Sequence, residues 1–236
     1  MNLETLVKNY TTPIPAVDVI SASRVALLVG ISGAGKDTLK QALLQQPDFS
    51  EIISHTTRPP RSNSGVSEQD GVDYYFISDD MAKEMLEEGK FVEAKFVHGT
   101  VYGTSIEAVR RAAESGIAIT DIDVQGVEEY KDISDDVIAI FIVPPDYQTW
   151  VERLRRRYAS DEEFMQEWPK RRETALSELT RALEVPYYHC IINDDLDRAI
   201  AVTSEIARRE DDVFNQKDDE ARLRARELLE EIQRRQ

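Results

Sequence analysis

Short apolar runs alternate along this chain with stretches in which apolar residues recur every three or four positions. Arg24-Val-Ala-Leu-Leu-Val-Gly30 is a β-rich run ending in glycine, the pattern of a strand buried on both faces of a parallel sheet. Similar runs stand at Gly116 to Asp121, Val137 to Val143 and His189 to Ile192. Helical spacing fills the intervals. It covers Leu39 to Leu44, Met81 to Glu88 (Met81, Met85 and Leu86 on one side), Ile106 to Glu114 (Ile106, Val109, Ala113) and Thr174 to Leu183 (Leu176, Leu179, Leu183). Strands alternating with helices predict an α/β fold with a parallel-sheet core, and the helical stripes read as core-facing.

Two regions interrupt this alternation. Residues 54 to 104 are rich in turn formers and aromatics, and residues 153 to 172 are dense in charge and carry several arginines. Both read as insertions at the carboxyl edge of the sheet, where ligands of open α/β sheets bind. The expected organisation is an N-terminal extension (1–22), a main domain (23–208) and a charged helical tail (209–236). Within the main domain the core is 23–53, 105–152 and 173–208, with insertions at 54–104 and 153–172. The tail has sparse apolar positions, Ile206, Val213, Phe214, Leu223, Leu228, Leu229 and Ile232. It reads as a solvated helix, with pairing to a second subunit as its other use.

Composition narrows the classes. With 236 residues, 41% hydrophobic and 31% charged, the chain can bury a full core without staples. The excess of 45 Asp and Glu over 29 Lys and Arg gives a net charge of -16, which disfavours nucleic-acid backbones and anionic membranes as partners. A lone cysteine, Cys190, excludes an internal disulfide, and His55, His98 and His189 do not cluster with it at metal-site spacing. Met1 to Ile20 carries charges and two prolines without a continuous apolar stretch, and no later segment nears the roughly 20 apolar residues that span a bilayer. A cytoplasmic protein without export or membrane signal is expected.

The strongest chemical signal is Gly30-Ile-Ser32-Gly33-Ala34-Gly35-Lys36, which follows a predicted strand and precedes a predicted helix. Glycines there let backbone N–H groups wrap anionic oxygens, the helix aims its positive end at them, and Lys36 adds a full charge. Such a loop grips a nucleoside triphosphate. The usual pattern puts Ser or Thr after the lysine to reach Mg²⁺, whereas this chain has Asp37, with Thr38 next. A carboxylate 4 Å from a phosphate oxygen is repelled by about 1 kcal/mol in water and about 4 kcal/mol at an effective dielectric of 20, unless a metal intervenes. Asp37 therefore either helps hold hydrated Mg²⁺ or faces away.

In the first insertion, Ser54-His-Thr-Thr-Arg58-Pro-Pro-Arg61 and Glu68-Gln-Asp-Gly71-Val-Asp-Tyr74-Tyr-Phe76 bring two arginines and two tyrosines close in sequence. Arginines three apart in a segment stiffened by prolines can converge on one dianionic phosphate. The glycine loop, Ser54 to Arg61 and Gly71 to Tyr74, taken with Phe91-Val-Glu93, Tyr102-Gly-Thr104, Asp121-Ile-Asp123-Val-Gln-Gly126 and Ile192-Asn-Asp-Asp195, closely resemble guanylate kinase from about Arg24 to about Ala201.

The resemblance implies a P-loop three-layer fold with an inserted GMP-binding subdomain at 54–104 and an arginine-bearing lid at 153–172. It implies transfer of the terminal phosphate of ATP to GMP, with Mg²⁺ entering as Mg-ATP. By position, Gly30, Ser32, Gly33, Ala34, Gly35, Lys36, Asp37, Thr38 and Asn193 would bind ATP. Arg58, Arg61, Tyr74 and Tyr102 would hold the GMP phosphate, and Glu93 would read the guanine edge, with Ser54 and Thr104 near O6. A carboxylate there rejects adenine, which offers no 2-amino group and an acceptor at N1. Asp121 and Asp123 match positions near the guanine, the Arg58 side or the metal-water shell. Arg157 and Arg171 align with the lid arginines that join Lys36 over the transferring phosphate, where positioning and charge do the work.

The chain also departs from the family pattern. The loop Ser62 to Ser67 is longer, the lid Tyr158 to Lys170 is extended and lacks a glycine after Arg157, and Val101 stands where a further tyrosine is common. The Lys36-Asp37 pair also resembles the ribose bisphosphate phosphokinases, and the segments before about residue 21 and beyond Arg208 have no placed counterpart. Two other readings follow: a P-loop kinase acting on another monophosphate, and a non-catalytic guanylate-kinase-like module that binds phosphorylated proteins.

Overall fold

The computed structural model describes residues 2–63, 66–209 and 214–235. The chain opens with helices α1 (Leu3–Lys8) and α2 (Ile14–Ala22), then strand β1 (Arg24–Val29) and helix α3 (Lys36–Leu43). Short strands follow: β2 (Phe49–Glu51), β3 (His55–Thr56), β4 (Ser62–Asn63), β5 (Val66–Ser67) and β6 (Tyr75–Phe76). Helix α4 (Asp79–Glu87) leads into the hairpin of β7 (Phe91–Val97) and β8 (Thr100–Ser105). Then come α5 (Ile106–Ala113), β9 (Ile117–Asp121), α6 (Val124–Ile133) and β10 (Ile138–Val143). The chain finishes with α7 (Tyr147–Arg155), α8 (Asp161–Glu184), β11 (Tyr188–Ile192), α9 (Leu196–Arg208) and α10 (Phe214–Arg234).

These elements form two compact units. One comprises Met1–Val25, Pro47–Thr120 and Glu129–Val137; the other comprises Ala26–Gln46, Asp121–Glu128 and Ile138–Gln236. In the second unit β1, β10 and β11 run parallel, with Ala26 to Val29 beside Ile138 to Phe141 and Ala139 to Val143 beside Tyr188 to Ile192. All six residues of β10 are buried, which explains the unbroken apolar run: both faces of the strand are covered. The α/β class with parallel core strands is realised as the alternation predicts.

The tail departs from expectation. Helix α10 packs on β11, α8 and α7 instead of lying in solvent. Ala221, Ala225, Leu228 and Ile232 are buried along one face at spacings of four, three and four. Two of these are alanines, too small to stand out in a charge-dense stretch. Polar ties fix the helix as well: Asp218 accepts from the Cys190 N–H at 2.6 Å, and Arg172 donates to the Ile232 carbonyl at 3.0 Å. Val213 lies outside the described residues.

In the first unit β2 pairs parallel with β9, and a four-stranded sheet has the order β6-β3-β8-β7. Strands β3 and β7 both run antiparallel to β8. The β4–β5 pair sets Ser62 against Ser67, and the tip of that loop, residues 64 and 65, lies outside the described residues. Predicted stripes shift in part on three helices; on α5 Val109 is buried as predicted, with Ala108 and Ala112 in place of Ile106 and Ala113. On α4 the buried positions are Ala82 and Leu86, while Met81 is exposed. On α8 Leu179 is buried as the stripe predicts, with Ala175 and Ala182 buried in place of Leu176 and Leu183.

Candidate active site

The phosphate loop joins β1 to α3 within the second unit. Gly30 and Gly35 both sit at positive φ, where side chains are strained, and neither has room for a Cβ. A Cβ at Gly30 would meet the Ile142 carbonyl oxygen at 2.5 Å, and one at Gly35 would meet Asn193 Nδ2 at 2.3 Å. Gly35 caps α3 in the left-handed region, so the first helical amides open toward the loop. Lys36 Nζ donates to the Gly30 carbonyl at 2.5 Å, folding its chain back over the loop. Burial pushes its pKa down, while Glu178, Asp121 and Asp37 favour the charged form.

Side chains from later in sequence brace this loop. Trp150 Nε1 donates to the Ser32 carbonyl at 2.8 Å, Asn193 Nδ2 donates to the Ala34 carbonyl at 2.8 Å, and Arg153 donates to the Asn193 carbonyl at 3.1 Å. Arg157 donates to Ser32 Oγ at 3.0 Å and to Asp37 Oδ2 at 2.6 Å. A cavity of about 390 Å³ opens here, with Gly33, Gly35, Asp37, Thr38, Arg157 and Asn193 in its wall. Arg153 and Arg156 line it too, whereas Arg171 is held on α8 by the Tyr158 hydroxyl at 2.8 Å.

Asp121 and Asp123 belong to the same unit as the phosphate loop. Asp121 pairs with Lys40 at 2.5 Å, and Asp123 accepts from the Gly126 N–H at 2.7 Å in the first turn of α6. Glu178 on α8 joins them. Its pKa rises to about 7 because burial outweighs the pull of Lys36, with Asp123 pushing the same way as burial.

The first unit gathers the other group. On β7 and β8, Glu93 stands opposite Thr104, and Ser54 Oγ lies 3.3 Å from Thr104 Oγ1. Burial pushes Glu93 up to about 7, against a hydrogen bond from Thr104 and the charge of Lys95. Arg58 is buried, with its guanidinium 5.1 Å from the Tyr74 ring centre and 5.8 Å from that of Phe76. Tyr74 and Tyr102 meet edge to face, 6.1 Å apart. The fork of Arg58 is taken by Glu68, at 2.6 and 2.7 Å, and Glu68 also accepts from the Arg61 N–H at 2.7 Å. Arg58 thereby holds Glu68 down to about 2.

Residues 22–210 match the family model described as guanylate kinase. The chain belongs to the guanylate kinase family. It is 38% identical to guanylate kinase 1 of Oryza sativa subsp. japonica over 190 residues, covering 79% of this chain and 48% of the relative. Against the guanylate kinase of Sus scrofa it is 36% identical, covering 81% of this chain and 95% of the relative. Against that of Escherichia coli strain K12 it is 38% identical, covering 76% and 84%. The chain thus spans about half the length of the Oryza sativa relative, 48%, and most of the other two. The crystal structure of guanylate kinase from Anaplasma phagocytophilum superposes with a TM-score of 0.57 at 26% identity, covering 88% of this chain and 93% of that one.

Within this guanylate kinase fold, the phosphate-loop group brings together Lys36, Asp37, Thr38, Arg157 and Asn193, and the β7–β8 group brings together Ser54, Glu93 and Thr104 beside Arg58, Tyr74 and Tyr102. Outside the predicted site set lie Glu68, Glu178 and Arg153; Arg153 belongs to the arginine-rich segment and Glu68 to the string ahead of Gly71, while Glu178 has no sequence signal.

Proposed function

We propose that this protein transfers the γ-phosphoryl group of ATP to GMP, giving ADP and GDP. The observation that carries the reading is the bulged β7–β8 pair, which sets Glu93 against Thr104, whose hydroxyl lies 3.3 Å from that of Ser54, in the unit that also holds Arg58, Tyr74 and Tyr102. A carboxylate with a linked pair of hydroxyls matches N1–H, the 2-amino group and O6 of guanine. Arg58 and Arg61, with the two phenols, then take the acceptor phosphate. An oxygen of that phosphate attacks the γ-phosphorus of ATP, the bond to the β–γ bridging oxygen breaks, and ADP leaves. The nucleophile is already ionised, so no protein base is needed. Lys36 and Arg157 gather the charge on the transferring group, and Arg171 joins them as the second lid arginine.

Thr38 and Asp37 line the phosphate-loop cavity together, and one hydroxyl with one carboxylate beside substrate phosphates is a donor set that suits Mg²⁺. When bound, Mg²⁺ neutralises charge on the β and γ oxygens. Asp37 would then exchange Arg157 for the ion, leaving Arg157 to the phosphates. We place the reaction in a reducing compartment, the cytoplasm, on the strength of a single buried thiol, Cys190. Because the apolar face of α10 is covered by β11 and α8, no assembly through that helix forms part of the proposal.

The test supplies Mg-ATP with GMP, AMP, CMP or UMP in turn, and resolves products by chromatography. ADP and GDP should appear in equal amounts with GMP, with little product from the other acceptors. Efficient use of another monophosphate would sink the acceptor assignment. GMP binding without any transfer would instead favour a phosphate-binding module.

A further inference from the structure

The strand that carries Glu93 is held from outside by residues that precede the family-matched region, which begins at residue 22. Among the described residues strand β7 ends its sheet, with no strand on its outer side. It is also bulged. Phe91 pairs with Ser105 and Glu93 with Thr104, leaving Val92 as the extra residue. Bulges re-aim side chains next to active sites but disrupt the ladder locally, so the freed groups need partners.

Those partners come from the link between α1 and α2. The Tyr10 hydroxyl donates to the Phe91 carbonyl at 2.6 Å and accepts from the Phe91 N–H at 3.0 Å. Thr12 Oγ1 donates to the Val92 carbonyl at 3.0 Å. One phenol thus answers both main-chain groups of a single residue, as a neighbouring strand would. The Tyr10 ring meets Phe91 edge on at 6.5 Å, and the flanking helices pack beside it, α1 on α4 and β7, α2 on α5 and β7. Burial raises the Tyr10 pKa, and Glu93 is near enough to raise it further.

We propose that Tyr10 and Thr12 are positioning residues for acceptor recognition: they clamp the β7 bulge from its open edge and so hold Glu93 against Thr104. The N-terminal segment is then part of the acceptor site's selectivity. This inference rests on the reading of Glu93 as the guanine-binding carboxylate.

The experiment uses the full chain with Tyr10→Phe, Thr12→Val, the double variant, the conservative Thr12→Ser, and Glu93→Gln in parallel. Measured quantities are KM for GMP and for ATP, kcat, GMP affinity by calorimetry, and amide exchange of the β7 peptide. Each hydroxyl removed should raise KM for GMP about threefold to tenfold, with KM for ATP changed less than twofold. Thr12→Ser should restore parental behaviour, and exchange should quicken at Phe91 to Glu93 in the double variant. Unchanged KM for GMP in the double variant, or an equal rise for ATP and GMP, would overturn the clamp. If the double variant does not fold, Tyr10→Phe, which removes one oxygen atom, carries the same test. An unaltered preference for GMP over AMP in Glu93→Gln would overturn the reading beneath the proposal, whereas an altered one with Tyr10→Phe and Thr12→Val silent would overturn the clamp alone.

Discussion

Burial lifts the Glu93 carboxyl from its ordinary value of 4.5 to about 7, and the same holds for Glu178. Between those two pH values the folded chain keeps a proton that the unfolded chain has released, so stability falls as pH rises through that window. Glu93→Gln removes the ionisation. Its thermal midpoint should exceed the parent's at pH 8, and the gap should close toward pH 4.5, with each kcal/mol worth roughly 2–4 °C in a chain of this size. A gap that widens toward acid pH would contradict the assignment. Glu68 behaves oppositely. Held down to about 2 by Arg58, it contributes stability above pH 4.5 that is lost as pH falls through about 2. Arg58→Ala should raise KM for GMP about tenfold to a hundredfold and leave KM for ATP nearly unchanged, which initial rates with either substrate varied will check.

At the scale of elements, the phosphate loop and the C-terminal helix show what the chain discloses about itself. The loop was legible because strand, glycines, lysine and helix are contiguous, and each glycine has a local reason for being there. Asn193 is expected at the ATP site by position, but the bracing of the loop is not legible, since Trp150, Arg153 and Asn193 arrive from more than a hundred residues away. Gly35→Ala should weaken ATP binding, because a side chain is strained at its φ of 98° and the Cβ would push Asn193 Nδ2 off the Ala34 carbonyl; calorimetric titration with ATP will show it. Helix α10 was misread because alanines at 221 and 225 carry half of its buried face amid charge. Leu228→Ala in that face should cost about 2–5 kcal/mol by denaturant titration, where a solvated tail would lose almost nothing. Helix α8 is legible in type and at Leu179, while Pro169 inside it and the alanines at 175 and 182 blur the rest of the periodic signal. Glu178 went unnoticed for that reason: only the helix register tells which acid turns toward Lys36.

For the molecule as a whole, the two compact units divide the labour proposed here, one holding the phosphate loop with its arginines and the other holding the carboxylate and hydroxyls for the base. Most of the acceptor group was legible through a family resemblance spread over several separated strings, not through any one of them. The N-terminal segment was not, because Tyr10 and Thr12 are common residue types whose partners are main-chain atoms eighty residues away. The central claim is that this chain phosphorylates a nucleotide chosen by Glu93. Its most direct test is the ratio of kcat/KM for GMP to that for AMP, measured for the parent and for Glu93→Gln. The parent ratio should be on the order of 10⁴ or more and should fall at least a hundredfold in the variant. A parent that uses AMP as readily as GMP, or a ratio untouched by the substitution, would contradict the account.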